Sequence, residues 1–234
     1  MAYTKESMDK FERISKEAIA KIRRMDPKDI AICISNGNRK IGRAMNVSTM
    51  PCHDCRNCKF CKGYCYDIKA NLFHTNTVLP ARARNSVLAN DYREKYFGEI
   101  RNRCKRRRTN KYFRWHVAGD ILDREYFAEM ISIAKEFPEF TFWTYTKMFG
   151  IVNAWIRENG KLPENLHVMF SLWDGMKTPN PYNLPTFACR LKDGNKDLSE
   201  SYFENTYKCP GNCDICKAAG RGCVVGESAY ADEH

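Results

Sequence analysis

The sequence predicts an α/β fold: a partial or irregular parallel α/β barrel with cysteine-rich cluster loops. Three observations predict it. Strand-like apolar runs alternate with segments of helical period, the pattern of βαβ units and a parallel sheet. The 234 residues fall short of the ~250 that a full eight-fold barrel takes. The chemically distinctive residues fall where strands should end, which is where α/β folds gather their sites.

Residues 5–24 read as a helix, because Ile14, Ala18, Ile19 and Ile22 recur at helical spacing and Met25-Asp26-Pro27 ends the run. Residues 30–34 form an apolar run expected as a buried strand, and Ser35-Asn36-Gly37-Asn38 follows as a turn. A cysteine loop then extends to about residue 76, and residues 81–107 read as one long helix. Residues 113–118 are the next strand, closed by Gly119-Asp120. Asp123 is placed to cap a helix running to Glu136. Residues 140–145 are a third strand, followed by a helix over 149–158 that Asn159-Gly160 ends. Residues 166–171 are a further strand, closed by Trp173-Asp174-Gly175. A loop rich in proline and asparagine spans 176–185, and residues 186–191 read as one more strand. The chain divides into an N-terminal helix (1–28), an α/β core with the first cysteine group (29–192) and a cysteine-rich segment packing on that core (193–234).

Hydrophobic residues at 43% and charged residues at 29% describe an ordinary soluble composition. No apolar stretch is long enough to span a bilayer. The N-terminus is charged and amphipathic and lacks the apolar middle of a signal peptide, so a cytoplasmic protein is expected. In a reducing cytosol the twelve cysteines should stay thiols unless a metal takes them. Net charge is +11, densest over residues 101–108. A basic surface of that kind would bind nucleic acid in a salt-sensitive way; cations at a helix end explain the same block.

The cysteines form two groups. Cys55, Cys58, Cys61 and Cys65 have the spacing C-x2-C-x2-C-x3-C, that of a bacterial ferredoxin run, and Cys52 adds a fifth sulfur at the same interval. Two-residue gaps wrap a tight loop around a 4Fe–4S cluster. Cys209, Cys213 and Cys216 read C-x3-C-x2-C, with Cys223 beyond them. Three ligands there would leave one iron open, whereas Cys223 as a fourth would close it. Zinc is the alternative, with Cys52/Cys55 and Cys58/Cys61 as two knuckles, and Cys209, Cys213, Cys216 and Cys223 as a closed four-thiolate site. All nine are candidate metal ligands. Cys33 and Cys189 read as buried, inert thiols, and Cys104 as incidental.

Other candidates sit at strand ends. Asp120, Lys147 and Asp174 are the candidate catalytic residues lining a ligand pocket; a solvated loop lysine and a helix cap would explain Lys147 and Asp174 as well. Asn36 and Asn38, beside Lys40, are candidates to bind a ligand phosphate or carboxylate, and a turn explains them too. His116, read as mid-strand, and Ser171 complete the candidate cofactor-binding set; a satisfied core histidine is the plainer role for His116.

Several of these segments resemble the phage "gene product 88" family. They are Ser35 to Gly42 (SNGNRKIG), Cys61-x3-Cys65-Tyr66 with Lys69, His116 to Asp120 (HVAGD), Tyr145-Thr146-Lys147 and Cys213-x2-Cys216. The likeness runs from residue 35 to about 223 and leaves the N-terminal helix outside. It implies a phage or prophage origin, hence a bacterial host cytoplasm. A more distant resemblance is to radical S-adenosylmethionine barrel enzymes, through the cluster loop after the first strand, Ala118-Gly119-Asp120, and Phe170 to Gly175 (FSLWDG). That resemblance implies S-adenosylmethionine as a ligand, redox or radical chemistry, and a reductant protein as partner.

The expected function is therefore an iron–sulfur protein with one or two 4Fe–4S clusters and a small-molecule ligand such as S-adenosylmethionine. The alternative is a non-enzymatic zinc protein that binds nucleic acid.

Overall fold

The structure, a computed structural model, describes residues 3–233. Seven parallel strands form one sheet curled into a half-barrel. They are β1 (Met45–Asn46), β2 (Tyr112–Arg114), β3 (Thr141–Thr146), β4 (Leu166–Leu172), β5 (Thr186–Arg190), β6 (Tyr207–Lys208) and β7 (Ala229–Asp232), in the order β1-β2-β3-β4-β5-β7-β6. Parallel neighbours need crossovers, and α5 (Arg124–Glu136) and α6 (Phe149–Asn159) supply them between β2, β3 and β4. The Asp123 cap is present: its carboxylate accepts the Tyr126 N–H at 2.8 Å.

Side chains alternate across the sheet and split the core in two. Phe142 of β3 and Leu166, Val168 and Phe170 of β4 face the helical layer, with Phe127, Met130 and Ala134 of α5. Trp143 and Met169, one residue out of step with these, face the concave side and meet Cys216, Cys223 and Val224. Burial on both faces is the condition under which an all-parallel sheet is stable. The C-terminal segment, which opens with the short helix α7 (Glu200–Glu204), is thus built into the sheet, since it supplies β6 and β7 as well as the filling of the concave face. At the other end α1 (Lys5–Arg23) buries Phe11, Ile19 and Ile22 in the main core.

Three expected elements differ. Residues 30–34 are extended but not part of the sheet, and the edge strand is Met45–Asn46. The backbone N–H and C=O of Cys33 are taken by the Asn85 side chain, at 2.8 and 2.9 Å, where a strand neighbour would otherwise serve. The long helix over 81–107 is two helices, α3 (Val78–Asp91) and α4 (Arg93–Arg106), broken at Tyr92 with φ −137° and ψ 54°. The strand expected over 113–118 stops at Arg114, because the chain turns at His116, whose φ is +50°.

Arg93 binds Asp123 with two bonds of 2.8 and 2.7 Å, joining the start of α4 to the cap of α5. Burial pushes the Asp123 carboxyl up, but Arg93 and the Tyr126 N–H outweigh it and hold it below the usual carboxylate range. Asp123→Ala should therefore cost about 1–2 kcal/mol at neutral pH, from the lost cap. The wild-type advantage should be full above about pH 4, where the unfolded carboxyl ionises, and should vanish as pH falls through the lower folded value. Denaturant titrations of both proteins across pH 2–7, a range set by those carboxylate values, check the magnitude and the sign.

Candidate functional site

The first cysteine group lies at the carboxyl edge of β1 to β3. The chain leaves β1 alongside β2's exit, with the Thr49 N–H donating to Ala118 O at 3.0 Å. Gly119 permits this approach: its φ is +92°, and a Cβ there would lie 2.0 Å from Thr49 Oγ1. Cys52 follows in the left-handed region with φ +63°, a strained conformation for a non-glycine residue. Cys58–Phe60 and Lys62–Tyr64 then form two 3₁₀ turns. A repeat of three residues matches the C-x2-C spacing and turns successive cysteines to one side.

Two buried carboxylates clamp this loop to α3. Before it, Asp54 accepts from the Met50 N–H at 3.0 Å, from Asn90 Nδ2 at 3.0 Å and from Ser86 Oγ, and bonds His53 Nδ1 at 2.8 Å. Burial pushes the Asp54 carboxyl up, but the bonds from His53, Ser86 and Asn90 outweigh it and leave it below the ordinary range. After the loop, α2 (Tyr66–Phe73) carries Asp67, which accepts two bonds from Arg82, at 3.0 and 2.9 Å. Asn57 donates from Nδ2 to Lys147 O at 2.8 Å, which ties the loop to the end of β3.

All twelve cysteines are free thiols. In the loop, Cys52 and Cys58 share a hydrogen bond, which raises the pKa of Cys52 and lowers that of Cys58. Burial raises Cys55 and Cys61, and burial pushes Cys65 up to about 11. Lys147 lies among them. Burial pulls its ammonium down, but Asp120 and the Cys61, Cys55 and Cys65 sulfurs outweigh this and raise it above the ordinary lysine value. Among the described residues, no three of His, Cys, Asp and Glu are gathered around one metal-ion position.

The strand-end candidates divide. Asp120 is buried and accepts from Thr146 Oγ1 at 2.6 Å, the Lys147 N–H at 3.0 Å and the Ile121 N–H at 2.8 Å. It therefore holds the end of β3 in place and sets its charge beside Lys147. Asp174 accepts the N–H groups of Lys196 and Asp197 at 3.0 and 3.2 Å, while its neighbour Trp173 stacks on Tyr64 of the cysteine loop. Ser171 accepts from Trp173 Nε1 at 3.0 Å. His116 is buried, with Nδ1 3.2 Å from Thr144 Oγ1 and Nε2 3.0 Å from the Tyr126 hydroxyl. Burial pushes its pKa down to about 4, so it is neutral at physiological pH. Asn38 accepts the N–H groups of Lys40 and Ile41 in a turn, and exposed Asn36 accepts from Arg103 at 3.2 Å. That turn joins the two cysteine groups: Lys40 O accepts the Cys213 N–H at 2.8 Å, and Lys40 Nζ stands 6.0 Å from the Tyr66 ring centre.

The second group closes the concave face. Cys213 and Cys216 lie on α8 (Cys213–Ala219), Cys209 precedes it, and Cys223 sits in the next turn. Cys213 is within electrostatic reach of Cys209 and Cys216, and Cys223 of Cys209 and Cys213, so all four thiols share one neighbourhood. Burial pushes Cys223 up to about 12, partly offset by the Tyr145 hydroxyl. Arg114, at the end of β2, points into this region with its guanidinium 4.7 Å from the Tyr145 ring centre.

Arg114, Asp54, and the Asp67–Arg82 pair are absent from the candidates read from sequence. Asp54 stands within the motif CHDC, but its partners lie on a helix 32 and 36 residues away. Arg82→Ala would leave the Asp67 carboxylate buried without its cation. It should destabilise the protein by about 3 kcal/mol or more, read by denaturant titration, with faster alkylation of Cys65 than in the wild type.

The model of the gene product 88 family matches residues 22–193. The match includes the first cysteine group and the strand ends that flank it, and it leaves out most of α1 and the cysteines at 209–223. No curated protein and no solved structure matches the chain. With most of its length covered by that one model, the chain belongs to the gene product 88 family.

Proposed function

We propose that the chain is an iron–sulfur protein whose 52–65 loop holds a 4Fe–4S cluster at the rim of the half-barrel. The observation that carries this reading is a short loop of four free cysteines, Cys55 to Cys65, clamped on both sides by the buried carboxylates of Asp54 and Asp67, with Cys52 just before the first clamp. The donor set is all sulfur, and soft thiolates select iron–sulfur clusters, zinc or copper(I). A four-iron cluster takes one thiolate per iron, so its ligands surround a cage and need not aim at one point. Cys55, Cys58, Cys61 and Cys65 are the proposed ligands, with Cys52 held in reserve by its bond to Cys58.

When bound, such a cluster supplies one-electron chemistry. The chain's own residues set its surroundings. Lys147 places a positive charge beside the sulfurs, and Asp120 fixes the backbone that presents it. Tyr64 stacks on Trp173 at 6.1 Å between ring centres, which ties the loop to the end of β4. Lys147 is also the cation that the carboxylate of a ligand such as S-adenosylmethionine would meet here. The zinc and nucleic-acid reading draws on the basic block at 101–108. Two of its six cations are ion-paired within the chain: Arg101 with Glu129 and Glu136, and Lys105 with Glu136.

Anaerobic purification should give a brown protein, bleached by dithionite, with acid-labile sulfide matching its iron. Cys58→Ser/Cys61→Ser should lower the content by about four irons per chain. Stoichiometric zinc without labile sulfide, or a double variant with wild-type iron, contradicts the proposal.

A further inference from the structure

We propose that Cys209, Cys213, Cys216 and Cys223 hold a second, fully thiolate-ligated four-iron cluster under the concave face, with Arg114 as its counter-charge. This inference does not rest on the cluster of the 52–65 loop. It starts from a charge with no partner. Arg114 extends into the concave side, its Nε enclosed and without a hydrogen-bond partner. The groups that influence it there are Tyr145, Tyr66, Cys213 and Cys223, with no carboxylate among them. Tyr145 offers its ring face, which stabilises a cation by only about 1–2 kcal/mol. An arginine does not lose its proton, and the enclosed Nε of half-buried Arg114 has given up water without gaining a partner, which is costly. Four thiolates on a four-iron cage carry net negative charge, and they would lie where Arg114 needs it.

The surrounding chain fits that assignment. Cys213 and Cys216 stand one helical turn apart on α8, so both turn toward one side. Gly222, at φ +73°, brings backbone close to the second sulfur: a Cβ there would lie 3.7 Å from Cys216 Sγ and 2.9 Å from the Tyr207 ring. The Tyr207 hydroxyl lies 3.7 Å from the same sulfur, and the Tyr145 hydroxyl bonds Cys223. Hydrogen bonds to sulfur from outside the ligand set are a means by which proteins tune such clusters. The presence of Cys223 in the group gives every iron a protein ligand and leaves none open to substrate. The centre would then hold the C-terminal strands to the half-barrel and pass electrons, without binding a substrate.

The test uses the full chain, purified without oxygen. With both centres filled, the wild type should carry about eight irons, and Cys55→Ser/Cys58→Ser/Cys61→Ser/Cys65→Ser should keep about four. Peptide-resolved alkylation of the wild type reads the second centre even if that variant fails to fold. Cys209 and Cys213 are only partly buried, so as free thiols they would react. They should be protected in the iron-loaded protein and become modified once iron is stripped. Arg114→Met should release the second centre's iron to a chelator about tenfold faster, and Arg114→Lys should restore most of the retention. Equal alkylation of Cys209 and Cys213 before and after stripping, zinc in place of iron, or an iron-free loop variant that folds overturns the proposal. Unchanged iron release from Arg114→Met overturns the counter-charge role.

Discussion

The cysteine loop depends on two carboxylates taken out of water and bonded to a single helix. Asp54 and Asp67 stand on either side of the loop, and both are satisfied by α3 side chains: Ser86 and Asn90 for the first, Arg82 for the second. Burying a carboxylate is unfavourable unless donors replace its water, so each clamp is specific to one geometry. A loop of mostly irregular backbone gains from this a fixed entry and a fixed exit. The strained Cys52 lies in the turn that the first clamp closes, where Asp54 bonds the Met50 N–H, as expected where surrounding structure over-determines a residue.

The helix that receives these clamps is itself fixed by the core. Val87, Leu88 and Ala89 of α3 are buried in the main core, and α1 covers α3 from outside, with Arg23 binding Asp91 at 2.7 Å. Tyr3 reaches from the start of the chain to donate to Cys65 O at 2.7 Å, and Lys62 bonds Glu12. The N-terminal helix is thus a structural wall of the loop. On the opposite side of the sheet, the C-terminal segment closes the concave face and brings the second cysteine group under Arg114. The turn at residues 38–42 links the two groups, since Lys40 O accepts the Cys213 N–H and Lys40 Nζ stands over the Tyr66 ring.

Much of this was legible in the sequence. The alternation of elements from Asp123 to about residue 190 reads correctly because its strands carry apolar runs and its helices have clear stops, such as Gly160 after α6; β6 and β7, short and interleaved with cysteines, carry no such signal. The Asp123 cap is a local signal and is found in place. The misreadings have a common cause. The run at 30–34 looks like a strand because it is apolar, but its pairing is decided by Asn85, far away in sequence. The long helix at 81–107 contains no proline or glycine at Tyr92 to mark its break; Arg93 turns instead to Asp123, a tertiary partner. The site shows the same limit. Cysteine spacing is local and marks both groups, whereas the charges around them, Asp54, Arg82 and Arg114, acquire meaning only from residues that the fold brings to them. Residues chosen for their place at strand ends have different surroundings: Lys147 stands among the sulfurs, and Asp174 bonds the backbone of residues 196 and 197.

The central claim is that the clamped loop exists to hold iron. X-ray diffraction from crystals of anaerobically purified protein, recorded on both sides of the iron absorption edge, tests it most directly. The cluster reading predicts a strong anomalous peak enclosed by Cys55, Cys58, Cys61 and Cys65. A loop with no iron peak in protein that has never met oxygen, or a peak that appears only at the zinc edge, would contradict it.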